Sequence, residues 1–171
     1  MATIYFVTDT LLKNTTNVGA NADVRDFQPF IRTASDMYAQ ALLGTYFYND
    51  LLTKYNAQTL SANETTLVQK VQQVICWRAT ADIAYSQSRK ITNKGVQRES
   101  GENSEGVELN ELSFGMRHYN QKAEFWTNRV IKYLLENKSL FSAYTSDNNK
   151  DSDIKATDTT DGTYESDFMF I

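Results

Sequence analysis

The stretch that decides the fold is "SANETTLVQKVQQVICWRATADIAYSQSR", residues 61–89. It opens with a capping box, in which Ser61 and Glu64 can each bond the other's free backbone amide. Apolar residues then recur at helical spacing: Val68, Val71, Ile75, Ala79 and Ile83. The second half is small or apolar on several sides, and Arg78 and Asp82 stand four residues apart, where they could pair. The stretch therefore predicts a long central helix that neighbouring elements pack closely.

Downstream, residues 112–136 predict a second long helix. Its seam advances in steps of four and three, a period of 3.5 that is typical of helix packing: Leu112, Met116, Tyr119, Ala123, Trp126, Val130 and Tyr133. Beside the seam lies a basic stripe interrupted by Phe125, formed by His118, Lys122, Arg129 and Lys132. Two interpretations of this stripe stay open, a solvated face or a surface that meets phosphates or an acidic partner.

Upstream, the pattern predicts two shorter helices. Asp26 is the expected N-cap of the first, Pro29 is tolerated in its first turn, and Gly44 is expected to end it. Thr45 is then the expected cap of the second, which runs to about Tyr55. Together these elements predict an all-α fold, a helical bundle of two long and two shorter helices over residues 23–144. An extended N-terminal arm (1–22), a long inter-helix excursion (90–111) and a C-terminal tail (145–171) complete the chain.

The C-terminal tail concentrates negative charge. Residues 145–171 hold seven of the 21 acidic residues, whereas the rest of the chain is nearly neutral. Asp147, Asn149, Asp151 and Asp153 match the first ligand positions of a calcium loop. Ser152 replaces the usual Gly, however, and the last position, at residue 158, is not the usual Glu. A flexible acidic linker is the preferred interpretation of residues 147–158.

The tail ends in "YESDFMFI", residues 164–171, which combines two acids with a compact apolar group. Tyr164, Phe168, Phe170 and Ile171 are predicted to anchor the chain on a partner. The acidic linker before them would serve as a tether, because it lacks the apolar content needed to pack.

No pattern of catalytic residues is found. The chain has one histidine, His118, expected to be structural or solvated, and one cysteine, Cys76, expected to be an inert buried thiol in mid-helix. There is no phosphate-binding glycine motif. We therefore predict no enzymatic activity, no metal and no cofactor. The N-terminus has no basic start and its apolar run is short, so we expect synthesis in the cytoplasm and no membrane association.

The excursion "KITNKGVQRESGENSEGVELNEL" (90–112) is far longer than the two to eight residues or so that connect antiparallel helices. Asn93 and Gly95 can supply a turn, and Ile91 and Val96 are the only apolar residues of its first half. It is either a disordered loop or an arm that leaves its own bundle and lies on a neighbouring subunit. In the second case these four residues belong to an assembly interface.

Several long segments resemble head-to-tail connector proteins of tailed bacteriophages, most closely the ring protein beneath the portal of crAss-like phages. They are "TDTLLKNTTNVGANAD", "LLGTYFYNDLLTKYN", "WRATADIAYSQSRKITNKGVQ" and "AEFWTNRVIKYLLENKSLF". The resemblance covers residues 1–144. It implies an α-helical subunit repeated, typically twelve-fold, in a ring between portal and tail, with a central channel for the genome. It also implies no catalytic activity and no cofactor.

On this basis the sequence predicts a structural protein of the virion neck, between capsid and tail. Its expected partners are other copies of the chain, the portal protein, other neck or tail rings and the genomic DNA that passes through. The alternative is a small cytoplasmic nucleic-acid-binding or packaging factor that uses the basic stripe, chiefly Lys122, Arg129 and Lys132.

Overall fold

The computed structural model describes residues 5–19, 24–92, 95–98 and 109–154 and is predominantly helical. The helices are α1 (Asp9–Thr15), α2 (Gln28–Ala34), α3 (Ala41–Leu43), α4 (Thr45–Ala57), α5 (Ala62–Ser88) and α6 (Leu109–Glu136). A π-helical segment, Ser35–Gln40, joins α2 to α3 without a break, and two 3₁₀ turns lie at Val24–Asp26 and Lys138–Leu140. The prediction of an all-α body is confirmed. The exception within the described residues is a hairpin of β1 (Arg89–Thr92) and β2 (Gly95–Arg98).

The central helix α5 forms where its capping box predicts. The Ser61 amide donates to Glu64 Oε2 at 2.8 Å, and the Glu64 amide donates to Ser61 Oγ at 3.3 Å. Lys54 of α4 also bonds Glu64 at 2.7 Å, which fixes the preceding helix against this start. All five residues of the predicted apolar stripe are buried. The interpretation of α5 as the central helix is therefore confirmed.

Helix α6 runs antiparallel to α5, since Lys70 lies over the ring of Tyr133 while Trp77 stacks on Tyr119. It begins at Leu109, three residues before the predicted start. Its C-terminal half belongs to the core, and the buried residues of the helix are Ala123, Val130, Ile131, Leu134 and Leu135. The predicted seam is buried only at two positions, Ala123 and Val130, and its other members are half-buried. The N-terminal half of α6 is therefore the more exposed half.

Neither predicted cap of the shorter helices is correct. Asp26 lies in a 3₁₀ turn, and α2 starts after Phe27 with no side-chain cap. Thr45 is the first residue of α4 rather than its cap. Gly44 does end the preceding helix as predicted, with a φ of 82° that favours glycine. The π-helical segment before it begins at Ser35, whose buried hydroxyl donates to the carbonyl of Ile31 at 2.7 Å.

The predicted N-terminal arm packs on its own subunit where the structure describes it. Phe6 and Leu12 are fully buried, and the Phe6 ring makes edge contacts with Tyr48 and Tyr55 of α4. Thr8 caps the short helix α1 by accepting a bond from the Leu11 amide at 3.2 Å. Residues 5–19 therefore belong to the packed body, which corrects the prediction of a separate extended arm over residues 1–22 for this part of the chain.

The boundary of the domain at residue 144 is also wrong, because residues 145–154 pack against the helices. Ile154 is fully buried, and its carbonyl accepts a bond from the Tyr144 hydroxyl at 2.9 Å. The Asp153 amide donates to the carbonyl of Ala41 at 2.8 Å, and Ser152 Oγ donates to that of Leu42 at 2.8 Å. The folded body therefore extends to Ile154, ten residues beyond the predicted end.

Replacing Gly44 with Ala should destabilise the subunit by about 1–3 kcal/mol, because the positive φ disfavours any other residue. A Cβ here would also overlap the side-chain amide of Asn149. Gly115→Ala is a matched control, for which we expect a change in stability of the opposite sign. Gly115 lies within α6 with no atom near its missing Cβ, so Ala there should stabilise by about 0.5–1 kcal/mol. Urea denaturation measures both, and equal midpoints for the two variants would contradict the assignment of Gly44.

Candidate interaction surfaces

An open groove lies between α5 and α6. Its volume is about 520 Å³. It is lined by three aromatic side chains, one cation, one imidazole and two amides: Trp77, Phe125, Trp126, Lys122, His118, Gln73 and Gln121. We call it the tryptophan groove, because it holds both tryptophans of the chain. Phe125 remains 52 % exposed there, so the groove presents apolar surface to solvent.

Contacts between the two helices at and beside the groove hold it in place. Trp77 stacks on Tyr119 with ring centroids 6.2 Å apart, and Asn17 of the N-terminal segment bonds the Tyr119 hydroxyl at 2.7 Å. The next residue of α5, Arg78, donates to Asn120 Oδ1 at 2.7 Å, and its guanidinium lies 4.6 Å from the ring centroid of Tyr38. These contacts fix the register of α5, α6 and the π-helical segment.

Asp82 lies one turn from Arg78, at a spacing that would allow the two side chains to pair. Burial raises the pKa of Asp82, and the nearby charge of Arg78 acts in the opposite direction. Arg78, however, donates its hydrogen bond to Asn120. The arginine is therefore first of all a link between α5 and α6, and its electrostatic effect on Asp82 is secondary.

The structure divides the predicted basic stripe. Lys122 Nζ lies 4.1 Å from the ring centroid of Trp77, and the Arg129 guanidinium lies 5.1 Å from that of Phe125. Lys132 instead forms an exposed ion pair with Glu136 at 3.8 Å, of the kind that contributes little to stability. Lys122 and Arg129 are thus the stripe residues associated with the tryptophan groove. The exposed His118 lies at the groove as well.

Two side chains from the segment after Tyr144, Asn149 and Asp151, cap a helix in this structure. The Thr45 amide donates to Asp151 Oδ1 at 3.0 Å, and the Phe47 amide donates to Asn149 Oδ1 at 3.2 Å. Both amides belong to the first turn of α4, where backbone donors lack helical partners. The side-chain amide of Asn149 also donates to the carbonyl of Leu43 at 2.9 Å. Two of the four residues that match a calcium loop therefore bind the protein's own backbone.

The excursion begins as a hairpin that continues from α5. Its strands are antiparallel, with Ile91 opposite Val96 and Thr92 opposite Gly95. Among the described elements, the hairpin has no extensive contact outside itself except with the adjoining end of α5. The turn predicted at Asn93 and Gly95 agrees with this register, although Asn93 itself lies outside the described residues. So do residues 99–108 and the predicted anchor residues Tyr164, Phe168, Phe170 and Ile171.

Cys76 is buried as predicted, and burial raises its pKa to about 12, so the thiol is protonated near neutral pH. Within the part of the chain that the structure describes, no three His, Cys, Asp or Glu side chains are grouped so as to hold a metal ion. None of the described helices is both long and apolar enough to cross a bilayer.

These features define a helical protein with a paired-helix groove and a projecting hairpin. The chain belongs to a family of unknown function, DUF6712, which matches residues 39–154. No curated protein and no solved structure matches the chain. The family match ends at Ile154, which is also the last described residue, so the family includes the segment that caps α4.

The tryptophan groove was not predicted from the sequence as a site. Trp126 and Tyr119 belong to the predicted packing seam, and no sequence pattern singles out Trp77. The available signal was the basic stripe, because Phe125 interrupts it and Lys122 lies one turn before Trp126. Which residue of α5 faces this stripe depends on the register of the two helices, which no local pattern specifies.

Proposed function

We propose that this protein is a structural subunit that assembles into a ring in the neck of a bacteriophage, between the portal and the tail. The ring would surround the passage through which the genome leaves the capsid. The resemblance of residues 1–144 to connector proteins supports the proposal, and so does the distribution of packed and unpacked elements in the structure. The subunit would act by assembly, with no chemical step.

The observation that carries the proposal is the hairpin at the end of α5. A two-stranded hairpin alone in water is marginally stable, and each of its strands has one unpaired edge. In this subunit the hairpin is not extensively covered by another described element. Pairing or packing against a neighbouring subunit or the portal would satisfy those edges. This is the behaviour expected of an assembly arm and not of a simple connection between α5 and α6.

The helical body suits a rigid unit in such a ring. The two longest helices, α5 and α6, have 27 and 28 residues and are linked by the Arg78–Asn120 bond and the Trp77–Tyr119 stack. Both the N-terminal segment and residues 145–154 pack onto this body. Among the described residues, the hairpin that opens the excursion therefore remains the main candidate for contacts between subunits.

The tryptophan groove favours a second function, that of a small nucleic-acid-binding or packaging factor. Single-stranded nucleic acids bind to aromatic platforms flanked by cations, and Trp77, Phe125 and Lys122 provide such chemistry. Against this, the chain has a net charge of −4, and Lys132 is already paired with Glu136. We therefore rank this function below ring assembly.

Mass photometry of the purified protein, with and without purified portal, tests the proposal. We expect the portal to gain the mass of a ring of about twelve subunits, since homo-oligomers close by cyclic symmetry. An unrelated ring-shaped protein serves as the control for non-specific binding. If the chain stays monomeric beside the portal and instead binds single-stranded DNA with a steep salt dependence, ring assembly is wrong and the second function is supported.

A further inference from the structure

The tryptophan groove has the features of a docking site for a short apolar and acidic peptide. It is open, three aromatic side chains line its volume of about 520 Å³, and Phe125 is half exposed. An exposed aromatic groove in a soluble protein commonly marks a binding surface. Its aromatic side chains come from two facing helices, so the groove is built on rigid elements.

The cations at the groove specify the charge of its occupant. Lys122 lies over Trp77 and Arg129 lies over Phe125. Within the described residues, neither cation forms an ion pair with a carboxylate. A ligand that combined apolar side chains with carboxylates would cover the aromatic rings and also pair with these two cations.

We propose that the occupant is the C-terminal segment of the same chain, residues 164–171, "YESDFMFI". This segment has two acids, Glu165 and Asp167, and no base. Phe168 and Phe170 alternate with Met169, so an extended segment can present the two rings on one side. The groove and the segment are thus complementary in both charge and apolar character.

A short series of contacts links the last described residue to the helix that forms one wall of the groove. The last described residue, Ile154, follows Asp153, whose amide bonds the carbonyl of Ala41. One helical turn before Ala41, the ring of Tyr38 lies against Arg78, the neighbour of Trp77 in α5. The nine residues from 155 to 163 can span up to about 30 Å when extended. Tethering at this length favours occupancy by the same chain at low protein concentration.

Tryptophan fluorescence can test this directly, because the two tryptophans of the chain both line the groove. We expect acrylamide to quench the full chain less than a chain truncated after Asp161, and the truncated chain to emit at longer wavelength. A synthetic peptide of residues 162–171, added to the truncated chain, should restore protection. A peptide of the same composition in scrambled order should restore it much less.

Variants of the body separate docking from a general change in structure. Phe125→Ala should weaken peptide binding to the truncated chain about ten-fold or more, as for a central aromatic contact. Lys122→Glu should weaken it also, with a loss that shrinks at high salt. Phe114→Ala is the matched control, because Phe114 is another exposed phenylalanine of α6, 74 % exposed and outside the groove.

Equal quenching of the full and truncated chains, or a peptide without effect, would overturn the proposal. Protection that depends on protein concentration would overturn the same-chain assignment and identify the segment of a second copy as the occupant. Protection produced by single-stranded DNA but not by the peptide would identify a nucleic acid instead. All of these measurements use the isolated subunit without portal, so their outcome is independent of whether the ring proposal holds.

Discussion

Replacing Ile154 with Ala is expected to lower the free energy of unfolding by about 2–5 kcal/mol, the cost of truncating a fully buried aliphatic side chain. Ile154 has no exposed surface and belongs to the same core cluster as Phe141 and Tyr144. Its carbonyl is also the acceptor of the Tyr144 hydroxyl. The composition of residues 145–163 alone predicts almost no effect, so this variant tests the packed tail directly. Urea denaturation monitored by circular dichroism measures the change.

Asn149 offers an independent variant in the same segment. Its side chain accepts from the Phe47 amide and donates to the carbonyls of Leu43 and Tyr144, at distances from 2.9 to 3.2 Å. Loss of a helix cap costs about 0.5–2 kcal/mol, and Asn149→Ala should fall in the upper part of that range because two further bonds are lost. Asn148→Ala is the control, since the neighbouring asparagine is exposed. If both asparagine variants unfold at the same urea concentration as the wild type, the tail does not cap α4.

The cap should also make the stability of the subunit depend on pH. Bonds from the Thr45 hydroxyl and amide hold the pKa of Asp151 below its ordinary value. A depressed carboxyl pKa contributes stability above its unfolded value, near 4, and that contribution is lost as the pH falls through the folded value. Asp151→Asn should therefore reduce the difference in stability between neutral and acidic pH, as urea denaturation at the two pH values measures.

Local signals predict the central part of the fold correctly. Ser61 and Glu64 are three residues apart and cap α5 by themselves, and the apolar period of α5 determines its buried face. Gly44 ends a helix because glycine tolerates the positive φ found there. Thr8 provides a local signal of the same kind, because its hydroxyl caps α1 by accepting a bond from the Leu11 amide. These features depend on residues within about one turn of each other.

The features that the sequence does not reveal depend on distant partners. Asn149 and Asp151 are common loop residues, and only the N-terminus of α4, about a hundred positions earlier, makes them caps. Ile154 is a single apolar residue in a polar stretch, so no periodicity marks it as buried. Trp77 and Trp126 share a groove only because α5 and α6 pack in one particular register. Such placements follow from tertiary packing, which local propensity does not encode.

Shortening the excursion is expected to abolish ring formation while leaving the subunit folded. In the shortened chain, a few Gly and Ser residues replace Gln97 to Val107, which removes the second half of β2. The entropy of loop closure changes by only about 0.6 kcal/mol per doubling of length, so the helices should melt at nearly the same temperature. The free strand edges, however, would be lost together with any contact they make on a neighbour or on the portal. Circular dichroism and mass photometry with portal separate the two effects.

A second shortened chain locates the contact more closely. Replacing only residues 99–107 keeps β1 and β2 and their register of Ile91 opposite Val96. If the hairpin makes the contact, this chain should still form rings, whereas the chain shortened from Gln97 should not. Loss of assembly in both would place the contact in residues 99–107. Normal rings from both would show that the excursion is an ordinary connection between helices. A chain shortened from Gln97 that fails to fold would show instead that the hairpin stabilises its own subunit, and the excursion could not then be an arm, because its contacts would lie within the body.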